Sequence, residues 1–412
     1  MKNMNQIKKR PLRILMIAPT PFFSDRGCHV RIFEEVKVLQ KLGHKVTICT
    51  YHIGKNIEGF NIKRTIKIPW YNKKEAGPSY HKLYLDKLLF MLCYKELMTK
   101  KYDIIHAHLH EGVFIAKWLN LLNLGKLLPI VFDAQGSMIK EMQDHGYLKN
   151  RALYALFKKV ENWCYKKDII ITSSTNAANL IVNEFKIPKK RVIPMCDAVD
   201  TEVFYQINKK HPEKLDKIKY EELKLPSKKK IVAYLGVLSD YQGVDTLIKS
   251  AKIVLEKRND VHFVIMGYPD VEKYKNLAKK LGIKDYEITF TGKIDYNRAP
   301  DFISIGDIAV SFKKSKSEAN GKLYNYMACG IPCIVTDTPV NKEILGELGI
   351  YVPVDDHEKS AEEIIRLLDD GKKRKELSKK LREKAVSDYS WMSVGKNIDG
   401  LYHRLLKEMK IK

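Results

Sequence analysis

No stretch of the 412-residue sequence approaches the roughly 18–20 consecutive apolar residues that cross a bilayer as a helix. Nor is there an export signal of ordinary form. Lys2, Lys8, Lys9 and Arg10 precede an apolar run, but that run is only Ile14–Ala18 before Pro19 and Pro21 break it, too short for a signal-peptide core. The chain is therefore expected to be cytoplasmic, and its seven cysteines to be free thiols in a reducing compartment. Cys329 and Cys333 stand four apart with no second pair or histidine cluster nearby, so they read as small core residues rather than metal ligands. Internal repeats and low-complexity tracts are absent as well, which excludes solenoids and long linkers.

Acidic residues are the other shortage: 49 against 74 Lys and Arg, a net charge of +25. The imbalance is uneven, since residues 1–200 hold 34 basic and 17 acidic residues and the remainder 40 and 32. A basic N-terminal half fits an anionic partner such as a phospholipid surface or a lipid-phosphate acceptor. A lysine-rich solvated surface fits it equally. Charge alone also raises nucleic acid, but no recognisable nucleic-acid-binding module supports it and none is expected as partner.

The 45% hydrophobic content is that of a globular protein, and the length calls for two domains. Arg13–Pro19 reads as a buried strand, Val30–Leu42 as a helix stopped by Gly43, and Lys45–Thr50 as the next strand. Strand, loop, helix, strand means a parallel βαβ unit. The alternation recurs at Ile104–His106, Ile130–Asp133, Ile169–Ser173 and Val192–Pro194. After a polar, lysine-rich connection over 206–229 the pattern restarts. Strands are expected at 230–236, 262–267, 288–292, 308–312, 332–336 and 350–354, and helices at 244–257, 270–281 and 321–329. The fold class is α/β: two Rossmann-like, doubly wound domains (1–205 and 206–391) facing a central cleft, with a helix over 392–412 bracing both. Such sheets bind ligands beyond the carboxyl ends of their strands.

The most informative segment is Ser317–Asp337. Asn320-Gly321 is a turn signal directly before a helix, and a helix start offers unpaired N–H groups to a phosphate. Lys322 adds a full positive charge where the helix itself favours none. Gly330-Ile-Pro then ends the helix and begins a buried strand.

Lys322-Leu-Tyr-Asn-Tyr-Met-Ala-Cys-Gly-Ile-Pro-Cys-Ile-Val resembles the donor-binding helix of the retaining glycosyltransferases of family 4 (group 1 type), whose fold is GT-B. The resemblance continues in family order through the Gly27 loop, Arg31, Gly43-His44-Lys45-Val46, Asp103-Ile-Ile-His-Ala-His, Val192-Ile-Pro, Val199-Asp200-Thr201, Gln242-Gly243-Val244-Asp245, Val264-Ile-Met-Gly267, Phe290-Thr-Gly292 and Tyr389-Ser-Trp391. It implies transfer of a sugar from a UDP- or GDP-sugar to a glycan or lipid-linked acceptor, with retention at the anomeric carbon. No metal or other cofactor is required on this reading, and domain closure excludes water.

Site residues follow from the same comparison. Gly236, Gln242, Gly267, Asn320, Gly321, Lys322, Leu323 and Asn325 are expected at the donor. Gln135, Glu318 and Lys322 are the candidates for catalysis. Gly27, Arg31, His108, Asp133 and Gly136 are expected on the acceptor side, where His110 is a further candidate. Three positions depart from the family pattern. Asn325 stands where a ribose-binding glutamate is common, Glu318 is one place out of register with the other glutamate, and Val237 and Gln242 replace an Arg and a Lys. Diphosphate neutralisation then rests on Lys322 and backbone N–H groups. Residues 61–101 interleave basic and aromatic side chains, which suits peripheral contact with an anionic membrane. Competing readings are a sugar-nucleotide epimerase of GT-B fold and a catalytically degenerate sugar-nucleotide-binding protein.

Overall fold

The computed structural model describes residues 10–23, 27–71, 81–122, 127–135, 137–139, 142, 150–207, 211–315 and 320–411. The chain forms two compact units. One comprises Met1–Cys196 with Trp391–Lys412, and the other Asp197–Ser390.

The first unit holds seven parallel strands: β1 (Arg13–Ala18), β2 (Lys45–Thr50), β3 (Asn61–Arg64), β4 (Ile104–His108), β5 (Ile130–Asp133), β6 (Ile169–Thr172) and β7 (Val192–Pro194), in the order β3-β2-β1-β4-β5-β6-β7. β1 lies at the centre because both its faces are apolar. Ile14, Leu15, Met16 and Ile17 are fully buried, each worth roughly 1.5–3 kcal/mol when removed from water. It pairs with β2 on one side and β4 on the other, Ile14 meeting Val46 and Ile104. The strand order reverses between β1 and β4, which places the ligand crevice of such a sheet at their carboxyl ends. β3 was not foreseen from the sequence, since Asn-Ile-Lys-Arg lacks an apolar run and forms only as an edge beside β2.

The terminal helix Trp391–Ile411 belongs to this first unit. It packs on the helix Gly27–Lys41 with Ile398, Leu401 and Tyr402 buried. Gly395 permits the approach: a Cβ there would sit 2.5 Å from a methyl of Val38.

The second unit carries β8 (Lys230–Leu235), β9 (Val261–Met266), β10 (Ile288–Gly292), β11 (Ile308–Ser311), β12 (Cys333–Thr336) and β13 (Ile350–Val352), all parallel, in the order β10-β9-β8-β11-β12-β13. Here the reversal falls between β8 and β11. Helix Val244–Lys257 has the bounds read from the sequence. Two helices, His357–Asp369 and Gly371–Asp388, were not foreseen. Asp356 and Asp370 accept from the backbone N–H groups of Lys359 and Lys373 and cap their starts. All seven cysteines are free thiols, and Cys329 and Cys333 are buried core residues. No helix among the described residues is long and apolar enough to cross a membrane.

Candidate functional site

At the β8/β11 reversal the backbone is bare of side chains. Gly236 follows β8 and Gly267 follows β9, and the two lie so close that a Cβ on Gly267 would come within 1.8 Å of the Gly236 carbonyl oxygen. A Cβ on Gly236 would stand 2.7 Å from Lys322 Nζ. The two glycines keep open the space into which Lys322 reaches.

Lys322 begins the helix Lys322–Ala328. That helix has seven residues, too short for a substantial macrodipole, so the positive character of this corner is the ammonium itself. Nζ donates to Gln242 Oε1 at 2.9 Å and to the Tyr234 hydroxyl at 3.3 Å, and it lies 4.4 Å from the Tyr234 ring centroid. Both partners are neutral, and no carboxylate among the described residues pairs with it. Burial first, and the charge of Lys313 second, push its pKa down to about 7. Lys313, at the carboxyl end of β11, is itself buried, with Nζ 5.4 Å from the Tyr241 ring. A half-buried cation held by neutral groups beside a second cation is costly unless an anion arrives.

The remaining donor candidates divide. Gln242 and Lys322 are brought together, as are Gly236 and Gly267. Asn325 is partly exposed on the same short helix. Asn320 is 3% exposed, and its amide donates to Ser311 Oγ and Asn341 Oδ1 at 3.1 and 3.0 Å, so its side chain ties the loop to β11 and to the helix Pro339–Leu345. Leu323 is wholly buried and its N–H donates to the Asn320 carbonyl. Gly321 is exposed at the helix entrance. Glu318 lies outside the described residues. Asp355, exposed in the turn after β13, accepts from Lys314 at 2.6 Å and from the Thr246 hydroxyl at 3.0 Å.

In the first unit Arg31, His108 and Asp133 are one network. Arg31 Nε donates to Asp133 Oδ2 at 2.9 Å and faces Glu35 Oε1 at 3.1 Å, while Nη1 donates to the Met195 carbonyl. His108 Nδ1 stands 3.0 Å from the same Asp133 oxygen. Burial opposes ionisation of Asp133, but Arg31 and His108 outweigh it and hold the carboxyl well below its ordinary range. These residues are at most 3% exposed. Gln135 is the member that emerges: partly buried, its amide Nε2 donates to Asp133 Oδ2 at 3.1 Å. Asp133 thereby fixes which end of the amide is turned inward. Gln135 also has φ +54°, a left-handed conformation that is strained for a residue other than glycine. The Ser173 hydroxyl donates to its carbonyl at 2.7 Å and anchors it.

His110 packs inward, 3.2 Å from the Tyr165 hydroxyl and 3.5 Å from Glu161. Gly27 opens the helix Gly27–Lys41. Gly136 lies outside the described residues. Glu35, Tyr402, Tyr234 and Lys313 escaped sequence reading. Glu35 and Tyr402 look like ordinary amphipathic-helix residues, and nothing local shows that Tyr234 underlies the ammonium.

Comparison with known proteins gives these features a context. The family described as glycosyl transferases group 1 matches residues 216–384, and that described as glycosyltransferase family 4 matches residues 26–203. The chain is 25% identical over 245 residues to spore coat protein SA of Bacillus subtilis, covering 57% of this chain but only 64% of that protein. It is 23% identical over 313 residues to N-acetyl-alpha-D-glucosaminyl L-malate synthase of Bacillus anthracis, covering 75% of this chain and 76% of the relative. The fold is similar to that of Anabaena HepE, solved in complex with UDP and glucose, with a TM-score of 0.76 at 12% identity, covering 95% of this chain and 100% of the other. The two parallel α/β domains are the GT-B fold expected from the sequence.

Proposed function

The chain is a glycosyltransferase of the group 1 type, and from that premise we propose that it moves a sugar from a UDP- or GDP-sugar to a lipid-linked or envelope-glycan acceptor with retention of anomeric configuration. The observation that carries this reading is Lys322, a half-buried ammonium that among the described residues is hydrogen-bonded to the neutral Gln242 and Tyr234. It sits where a doubly wound sheet binds its ligand. A nucleoside diphosphate supplies the missing negative charge. As the glycosyl–phosphate bond breaks, the charge growing on the departing diphosphate is stabilised by an ammonium already in place. On this reading Asn325, partly exposed on the same short helix, hydrogen-bonds the ribose diol without the charge of a glutamate. The departing phosphate takes the acceptor's proton, so the transfer needs neither a metal ion nor a separate nucleophile–base pair at the donor. HepE, a structural neighbour, was solved with UDP-glucose, which supports a uridine donor as the first to try.

On the acceptor side Gln135 is the residue we assign to the incoming hydroxyl. Its NH2 is committed to Asp133, leaving its carbonyl oxygen to accept a hydrogen bond.

Peripheral attachment to an anionic membrane on the cytoplasmic side belongs to the same reading. The helices Lys82–Thr99, Leu109–Leu122 and Arg151–Tyr165 neighbour one another in that order, and they expose Leu83, Met91, Trp118, Leu121, Leu153 and Leu156. Exposed lysines such as Lys87, Lys95 and Lys159 flank them, a composition suited to a bilayer interface. Two of the basic residues first assigned to this surface serve the fold instead. Arg64 donates to the carbonyls of Phe22, Tyr51, Ile53 and Lys55, and Lys82 pairs with Glu111 at 2.5 Å. Lys73, Lys74 and Tyr80 lie outside the described residues.

Calorimetry against UDP-, GDP-, ADP- and dTDP-sugars, followed by turnover assays and NMR of the product's anomeric centre, tests the proposal. One preferred nucleotide and a product of unchanged anomeric configuration are expected. No binding to any member of the panel, or an inverted product, overturns it.

A further inference from the structure

The helix Lys322–Ala328, which carries the donor ammonium, is too short to stand alone, since isolated helices below about 12–15 residues are marginal in water. Its placement is set by what holds its ends. At the carboxyl end of a helix four carbonyls lack an intrahelical partner. Those of Asn325, Tyr326 and Met327 accept from the N–H groups of Cys329, Ile331 and Gly330 at 3.0, 2.8 and 2.9 Å. The fourth belongs to Ala328, a fully buried residue, and accepts from Arg382 Nη1 at 2.8 Å.

Arg382 stands half-buried on the helix Gly371–Asp388. Its Nη1 also donates to the Phe204 carbonyl at 2.6 Å, and Nη2 donates to that of Thr201 at 2.9 Å. One guanidinium thus joins the last residue of the donor helix to a turn far away in sequence. Ser378, four positions before Arg382, lies on the same helix face. Its hydroxyl and carbonyl accept from Gln206 Nε2 at 2.9 and 3.2 Å. Gln206 in turn passes against the end of the donor helix, where a Cβ on Gly330 would lie 2.0 Å from that nitrogen. The segment 201–206 is therefore pinned by the helix Gly371–Asp388 and pressed onto the carboxyl end of the helix Lys322–Ala328.

The rest of the short helix turns this grip into a matter of ligand binding. Lys322, at its start, reaches Gln242 and Tyr234. Tyr326 Oη accepts from the Leu235 N–H at 2.9 Å, directly before Gly236. Seven residues rise only about 10 Å, so a displacement at Ala328 reaches the ammonium and the glycine corner together. A cation at a helix carboxyl end is favourable in itself, and a lysine would supply that much. Three carbonyls converging on two nitrogens require the planar fork of an arginine.

We propose that Arg382 is a positioning residue of the donor site: its guanidinium fixes the helix Lys322–Ala328 against the segment 201–206 and thereby places Lys322 on the sugar nucleotide. The consequence for binding rests on the donor reading above, whereas the placement of Lys322 does not.

Arg382→Lys keeps the charge and removes the fork. Far-UV circular dichroism reports its folding, and NMR of the full chain labelled with ¹³Cε-lysine reports Lys322, whose resonance is the one missing in Lys322→Arg. In the unaltered chain that resonance should titrate at about 7. In Arg382→Lys it should move toward the ordinary lysine value of about 10.4 as the ammonium leaves its half-buried position. Calorimetry with the sugar nucleotide that the unaltered chain prefers should show binding weakened about tenfold or more. Guanidinium ion added to Arg382→Ala, below denaturing concentration, should restore part of that binding. An unaltered chain that binds no sugar nucleotide defeats the donor reading and leaves the Lys322 titration to decide this one. A folded Arg382→Lys in which Lys322 titrates as in the unaltered chain overturns the proposal. Loss of folding in Arg382→Lys and Arg382→Ala alike also overturns it, because the fork would then be a requirement of the fold.

Discussion

Lys322 concentrates the donor argument in one ammonium group, and its pKa gives the sign of two effects. In the unliganded chain it is pushed down to about 7 by burial and Lys313, whereas in the unfolded chain a lysine titrates near 10.4. Between those values the unfolded chain holds a proton that the folded one does not, so stability of the unliganded chain rises with pH across that window. Donor affinity runs the opposite way, because the diphosphate binds the protonated form. Affinity measured by calorimetry should be highest below pH 7 and decline through about 7 to 8. A flat profile would remove Lys322 from the diphosphate. Lys322→Met should weaken donor binding about 10- to 150-fold, the value of about 1.5–3 kcal/mol for a hydrogen bond to a charged group. Gln135 supports a different expectation. Its φ of +54° is strained, so Gln135→Gly should leave the melting temperature unchanged or raise it while transfer falls. A variant that loses stability and retains full transfer would show that the strain serves the fold.

Among elements, the turn between Asp240 and the helix Val244–Lys257 is tightly constrained. Gly243 has φ +71°, and a Cβ there would sit 2.0 Å from the Phe312 carbonyl oxygen. Gly243→Ala must therefore displace the strand end that leads to Lys313. It should destabilise the second unit by about 1–3 kcal/mol or more, visible as a lower denaturation midpoint, and weaken donor binding in parallel. Unchanged stability would mean the loop after β11 yields easily. Helix legibility followed apolar spacing. Val244–Lys257 was bounded correctly because its buried positions recur at helical intervals. Gly371–Asp388 was missed because eight of its eighteen residues are Lys or Arg, and only Leu377, Leu381 and Ala385 mark its buried face. Asn320–Asn325 was recognised as a unit, but its atoms were assigned too uniformly. Whether an asparagine faces ligand or core depends on Ser311 and Asn341, both distant in sequence.

For the whole molecule, the charge of +25 matters most where it meets apolar surface. Flotation with vesicles containing phosphatidylglycerol should carry the protein at low salt and release it as ionic strength rises, because exposed charges are screened beyond about 8–10 Å at physiological salt. Replacing Trp118 and Leu121 by Ser should reduce binding several-fold without altering donor affinity. Failure to float with anionic vesicles at low salt would reject the membrane reading and leave the lysines as solubilising charge.

The sequence by itself determined the architecture. Short continuous apolar runs and period-3.6 apolar patterns are local properties, and their alternation permits little besides parallel α/β domains. It also located the donor segment, because glycines, Lys322 and the Gly330-Ile-Pro stop lie within a few residues of one another. Only the tertiary structure decided what those side chains meet. Lys322 gained Tyr234 and Gln242 from other elements. Arg31, His108 and Asp133 became one buried network behind Gln135, and Glu35 came to face two histidines across a helix–strand interface. Charge and desolvation act through space, between residues as much as 102 positions apart along the chain, and no local pattern records that distance.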